Sequence, residues 1–225
     1  MRSFYEGKVL QMLSVPNGVI VAILEDITED GKMVVEYRML SLDTNELQRV
    51  SSNVYLLVKF GPSHRLADMQ VENHLTCRSC ILPNGEVLMV EEDCSAKWLD
   101  ESGYAKWLGT VKYKGEAPSD LIFDGSNIWA SFAESNTLLR LDKGTMREEL
   151  RIGDSKGESG FCGPTGLFAE GENLYVCNKD SYQIWKINTK TYAAEEYASF
   201  DEPVLNYVRC DNREIVQLES GLYEI

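Results

Sequence analysis

Histidine is nearly missing from this chain: among 225 residues only His64 and His74 occur. A hydroxyl or thiol nucleophile paired with a histidine base would have to use one of these two, and neither stands near a Gly-x-Ser-x-Gly turn or a comparable setting. Basic residues are also few, 22 Lys and Arg against 36 Asp and Glu, for a formal net charge of −14. Such a field repels phosphate backbones and argues against a nucleic-acid partner. No stretch approaches the roughly 18 apolar residues of a membrane-spanning helix. The opening MRSFYEGKVLQMLSV also lacks the apolar centre of a secretory signal. The expectation is a cytoplasmic protein with no membrane partner, whose six cysteines are reduced thiols rather than a disulfide framework.

Metal signatures are equally thin. Cys77-Arg78-Ser79-Cys80 has the spacing of half a zinc site, but zinc needs a second pair or histidines. The pair also falls where a strand is expected, so its two thiols should project to opposite faces as packing groups. Glu25 to Gly31 imitates a calcium loop, yet its third position is Thr28 and its twelfth Tyr37. An acidic hairpin turn explains it better. Glycines punctuate turns and form neither a phosphate loop nor a dinucleotide fingerprint. No catalytic residue, metal ligand or cofactor is assigned from these residues, and the stretch 154–160 reads as an exposed connection.

What the chain does have is a phrase used twice, 46 residues apart: PSDLIFDGSNIWAS from Pro118 and PTGLFAEGENLYVC from Pro164. Weaker copies surround the turn dipeptides Asn17-Gly18, Asn84-Gly85 and Asp211-Asn212, each between two β-rich runs. That is the hairpin signal in its strongest short form. The intervals between successive turns, starting from Asn17, are 67, 40, 46 and 41 residues. Propeller blades repeat every 40 to 50 residues or so. Two copies continue alike, as SNTLLRLDKGTMREELRIG from Ser135 and SYQIWKINTKTYAAEEYASF from Ser181, giving four strands per unit with a polar turn at Thr145 or Thr189.

The expected fold is all-β: a single β-propeller domain over residues 1–225, with five blades, or six if residues 51–73 hide a degenerate blade. In that insertion NVYLLVKFG reads as a strand. The last copy is too short to fill its blade, so Phe4 to Gln11 should supply the missing outer strand, closing the ring and covering an exposed edge.

A propeller gathers the loops that enter its inner strands around a central channel. Aligned on the turns, Met12, Ser79, Ser119, Thr165 and Asn206, followed by Leu13, Cys80, Asp120, Gly166 and Tyr207, fall at that mouth. The second-to-third-strand hairpins add Asn178 and a series of acids, so this face should be acidic. Ser79, Ser119, Asp120, Thr165, Asn178, Asn206 and Tyr207 are the expected ligand-binding set.

APSDLIFDGSNIWASFAESNTLLRLD resembles the blade phrase of NHL and YVTN-type propellers and of streptogramin-lyase-type propellers. The likeness covers residues 117–190 and is poor before residue 75. A streptogramin-lyase resemblance implies a catalytic histidine with bound magnesium, although the matching blades contain no histidine. A gluconolactonase-like resemblance implies a central metal, for which Asp120, Asn178 and Asn206 are the matching positions. The expectation from the residues themselves is a non-catalytic binding or scaffolding module whose channel mouth takes a small polar or cationic ligand or a protein partner. The alternatives are a metal-dependent hydrolase or lyase, and a structural component of a larger assembly.

Overall fold

Asn and Asp tolerate the left-handed backbone conformation better than other side chains, and glycine adopts it freely. In each of the five turns singled out above, one residue takes it: Asn17, Gly85, Gly125, Gly171 and Asp211, with φ between 54° and 98°. Each therefore closes a tight hairpin between the first and second strands of a blade. At the first turn the glycine that follows is also required, because a Cβ on Gly18 would lie 2.1 Å from the Leu40 carbonyl oxygen.

The computed structural model describes residues 1–153 and 161–225; the stretch 154–160, expected to be an exposed connection, lies outside the described residues. Five four-stranded antiparallel sheets make up the fold. Blade one comprises β2 (Val9–Val15), β3 (Gly18–Ile27), β4 (Met33–Ser41) and β5 (Glu46–Arg49). Blade two comprises β6 (Arg78–Ile81), β7 (Val87–Val90), β8 (Ser95–Leu99) and β9 (Ala105–Thr110). Blade three is β10 (Asp120–Phe123), β11 (Ile128–Phe132), β12 (Thr137–Leu141) and β13 (Glu148–Ile152). Blade four is β14 (Pro164–Glu170), β15 (Asn173–Asn178), β16 (Gln183–Asn188) and β17 (Ala194–Ser199). Blade five takes β18 (Val204–Cys210), β19 (Arg213–Leu218) and β20 (Gly221–Glu224) from the end of the chain and β1 (Arg2–Glu6) from its start. The protein is a five-bladed β-propeller with its ring closed by the N-terminal strand.

The core is correspondingly divided among the blade junctions. Leu88 and Val90 of blade two pack with Leu121, Ile128 and Phe132 of blade three. Trp129 and Leu138 meet Leu167 and Val176 between blades three and four. Tyr175 and Ile184 meet Tyr207 and Val216 between four and five. Val208 and Ile215 meet Val19 and Val21 where the ring closes. Cys77 and Cys80 belong to different junctions, Cys77 with blade one and Cys80 with blade three, as expected for residues three apart on a strand. Burial pushes the Cys77 thiol up to about 11 and the Cys80 thiol up to about 12.

The junction of blades one and two is built differently, and here the sequence reading is corrected. NVYLLVKFG is not a strand: Ser52–Phe60 forms helix α1, followed by a 3-10 turn and the short helix α2 (His64–Asp68). Tyr55, Leu56, Lys59 and Phe60 are buried on one side of α1, at the one-, four- and five-residue offsets of a helical face rather than the alternation of a strand. Gly61, at φ 71°, ends the helix and donates its amide to the Leu57 carbonyl, and Pro62 follows, a common way to stop a helix. Tyr55, Leu56 and Phe60 fill the space between Ile20 and Ala22 of blade one and Val87, Met89 and Leu99 of blade two. The insertion is therefore a wedge within the ring and not a sixth blade.

A second correction concerns the closing strand. The expected outer strand Phe4 to Gln11 is split: β1 pairs with β20 as far as Glu6 opposite Gly221, and Val9–Val15 is the inner strand of blade one. Gly7, at φ 140°, sits at the break and donates its amide to the Ser220 carbonyl. The expected polar turns before the outer strands carry Thr145 and Thr189, and each is fixed by a side-chain acceptor. Asp142 accepts from the amide and hydroxyl of Thr145, and the matching acceptor Asn188 takes Thr191, not Thr189, in the same way. Among the described residues, no helix is long and apolar enough to cross a membrane.

Candidate functional site: the central channel

The inner strands of all five blades surround two cavities of about 340 and 410 Å³ that share Gln11, Asp120 and Asn206 in their walls. One end of this channel is reached by the loops entering the inner strands and is lined by Lys8, Arg78, Ser119, Thr165 and Lys179. The other end is lined by Val58 and Lys59 of α1 together with Phe123, Phe168 and Val208. Gly166 must be glycine here, because a Cβ would lie 2.6 Å from the Leu205 carbonyl and 2.8 Å from the Asn206 Cα.

Of the residues expected at the mouth, the fold brings Ser79, Ser119, Asp120, Thr165 and Asn206 to the channel wall. Each is partly engaged in joining elements. The Asp120 carboxylate accepts the Leu121 amide at one oxygen and, across the blade junction, the Leu167 amide at the other, both at 2.8 Å. Asn206 repeats the device: Oδ1 accepts the Tyr207 amide at 2.8 Å and Nδ2 donates to the Met12 carbonyl at 3.1 Å. Thr165 donates to the Leu205 carbonyl and Ser79 to the Lys59 carbonyl, while Ser119 accepts the Ala133 amide. Polar side chains ring the channel because adjacent inner strands, too far apart to pair as sheet, are joined through them.

Tyr207 and Asn178 lie elsewhere. Tyr207 is fully buried among Phe168, Tyr175 and Tyr197, with ring centroids 5.1 to 6.0 Å away. Successive strand residues face opposite ways, and it is Asn206 that faces the axis. Asn178 is likewise fully buried, accepting the Cys162 amide and donating to the Val176 carbonyl. The expectation of an acidic mouth is not met in the throat, where Lys8, Arg78 and Lys179 stand against the single carboxylate of Asp120. Some acids of the surrounding face are occupied locally, as when Glu91 accepts the Glu72 amide and pairs with Lys97.

Four polar channel residues have no counterpart in the sequence reading: Lys8, Gln11, Arg78 and Lys59. Lys59 is 2% exposed. Its Nζ donates to Gln11 Oε1 at 2.7 Å, which also accepts the Tyr55 hydroxyl. Burial brings its pKa down to about 7, with Arg78 pushing the same way and Cys77 and Asp120 opposing. Burial also raises the Asp120 carboxyl, against the Leu167 and Leu121 amides, Arg78 and Lys59. The Arg78 guanidinium is half-buried and makes no hydrogen bond or ion pair with a described residue.

Lys59 should leave a trace in the pH dependence of stability. Its folded pKa lies below the unfolded value, so between those values the unfolded chain binds more protons and stability rises with pH. Between about pH 7 and 8, below the pH at which thiols of the unfolded chain ionise, the wild-type protein should gain resistance to urea, and Lys59→Met should remove that rise. Equal slopes for the two proteins in paired urea titrations would show that Lys59 is charged in the fold.

The magnesium and the carboxylate-held metal implied by the resemblances do not fit this donor set. Among the described residues no three His, Cys, Asp or Glu side chains cluster as ligands. His74 lies outside the channel, 2.8 Å from the Tyr37 hydroxyl and 3.6 Å from Asp68.

Neither a protein-family model nor a curated protein sequence matches the chain. Solved structures do. A streptogramin B lyase superposes with a TM-score of 0.57 at 10% identity, over 97% of this chain and 83% of that one. The virginiamycin B lyase of Staphylococcus aureus gives 0.54 at 11%, over 100% and 86%. The computationally designed Ika4 protein gives 0.52 at 15%, over 69% and 94%, whereas the chain spans only 58% of the designed Ika8 protein, at 13% identity and a TM-score of 0.52. At these identities the likeness is one of fold.

Proposed function

We propose that the protein is a binding module whose channel takes a small anionic, polar ligand without transforming it. The observation that carries this reading is the guanidinium of Arg78. It is half-buried at the wall of the cavity, uncommitted to any described residue, and accompanied by Lys8 and by Lys179, which itself pairs with Asp180. A guanidinium in such a place offers a fork of donors matched to a carboxylate. This reverses the sign of the ligand expected from Asp120 and the acids read around the mouth. The net charge of −14 works at longer range, disfavouring polyanions that cannot enter the channel, while a small anion inside meets the local cations.

Calorimetric titration at fixed ionic strength against short mono- and dicarboxylates, inorganic phosphate and quaternary ammonium compounds tests the reading. Carboxylates should bind, and Arg78→Gln should weaken them about tenfold, the loss of one charge-assisted pair. Binding of the ammonium compounds alone, or affinity indifferent to Arg78→Gln, would overturn it.

A further inference from the structure

We propose that Lys59 makes the channel a covalent site for small oxo acids, joining their carbonyl carbon to Nζ as a reversible imine while Arg78 holds the carboxylate. The inference rests on the anion-binding reading above and adds to it the functional group that the second end of the ligand must carry.

Three features of the fold converge on it. First, the amine is placed deliberately. Lys59 is 2% exposed, yet it lines the cavity that also contains Asp120, Gln11 and Ser79. The helix that carries it is held at both sides, by the Lys59 carbonyl accepting from Ser79 and by Tyr55 donating to Gln11. Second, the amine has only a neutral polar partner. Its hydrogen bond goes to the Gln11 amide oxygen, the rings of Tyr55 and Phe60 lie 5.8 Å away, and no described carboxylate pairs with it. A buried ammonium without a counter-ion is costly, and the group relieves that cost by giving up its proton, in keeping with its pKa near 7. An uncharged lysine amine is the form that attacks carbonyl carbon. Third, Gln11, which holds the Lys59 amine at 2.7 Å, and Asp120 belong to the wall shared with the cavity that Arg78 lines, so a ligand seated at that shared wall lies between the amine and the guanidinium.

The step balances without an outside reagent. The Nζ lone pair forms the C–N bond, and the carbonyl oxygen takes a proton to give a carbinolamine. That hydroxyl leaves as water with a second proton, both having come from nitrogen. Asp120, whose burial makes it hold a proton more firmly than an ordinary carboxyl, is the group on the same wall able to pass protons between the two atoms. The products are one imine and one water, and hydrolysis returns the ligand and amine unchanged.

The test uses the full chain, glyoxylate as the oxo acid and acetaldehyde as an uncharged comparator, each with sodium cyanoborohydride to fix any imine, followed by peptide mass mapping. With glyoxylate, Lys59 should be alkylated about tenfold faster than the exposed Lys112 and Lys143. Labelling of Lys59 should rise with pH and level off above about pH 7. Arg78→Gln should slow the glyoxylate reaction about tenfold and leave acetaldehyde within about twofold. Lys59→Arg should abolish the adduct, and the wild-type pH profile gives the same answer should that variant fail to fold. Adducts spread over exposed lysines with Lys59 unmodified would overturn the proposal. Calorimetric carboxylate binding without trapping at Lys59 would remove the imine and keep the binding module; no carboxylate binding at all would remove both.

Discussion

A chain lacking residues 1–7 is expected to unfold about 10–15 °C below the full-length protein and to associate at high concentration. β1 is the outer strand of blade five, paired with β20. Phe4 and Tyr5 pack on the core joining blades five and one, and Arg2 and Arg213 both lie over the Phe4 ring. Removing these residues exposes the backbone edge of β20 and part of an apolar junction at once. The hydrophobic share alone is about 2–4 kcal/mol for two half-buried aromatic side chains. Differential scanning calorimetry, with size-exclusion chromatography over a concentration series, measures both effects. An unchanged melt would mean that three strands suffice for the last blade and that the terminal strand is dispensable.

Trp129→Ala should cost about 3–5 kcal/mol, among the largest losses available from a single substitution in this chain. The indole is fully buried between blades three and four. Its Nε1 donates to Asp124 Oδ2 at 2.7 Å, while Asp124 Oδ1 accepts the Ser126 and Asn127 amides that form the hairpin turn. One side chain thus ties a junction to the turn of its own blade. Truncation leaves a cavity and deprives the carboxylate of a donor. Trp129→Phe keeps most of the ring volume and should cost about half as much, mainly the hydrogen bond. Urea unfolding of the three proteins gives the comparison. A loss below about 1 kcal/mol for the alanine variant would show that the junction repacks around the gap.

The fold could be read from the chain where local backbone chemistry is restrictive. Asn17, Gly85, Gly125, Gly171 and Asp211 mark hairpins because few residue types accept a positive φ. The composite last blade followed from an arithmetic of missing strands. Helix α1 was illegible for the opposite reason: Val54 to Val58 is a short apolar run that suits a buried strand or a buried helix equally. Only Gly61-Pro62 after it and the burial spacing of Tyr55, Leu56, Lys59 and Phe60 distinguish the two. The channel was half legible. Asp120, Asn206 and Thr165 lie on inner strands and could be aligned by repeat. Tyr207 does not share the channel with its neighbour Asn206, because pairing runs unbroken from Asn206 to Cys210 and successive strand residues face opposite ways. Lys59 reaches the axis from outside the repeat altogether, so no alignment of blades could place it.

Because α1 sits between blades one and two and carries Lys59 to the axis, the ring has a keystone that is also part of its cargo bay. Any excursion that lifts this helix would loosen the junction and withdraw a wall of the channel together. On the binding reading proposed above, a ligand present at a hundred times its dissociation constant would add about 2.7 kcal/mol against that opening. The rigidity of the circumference would then depend on whether the channel is filled.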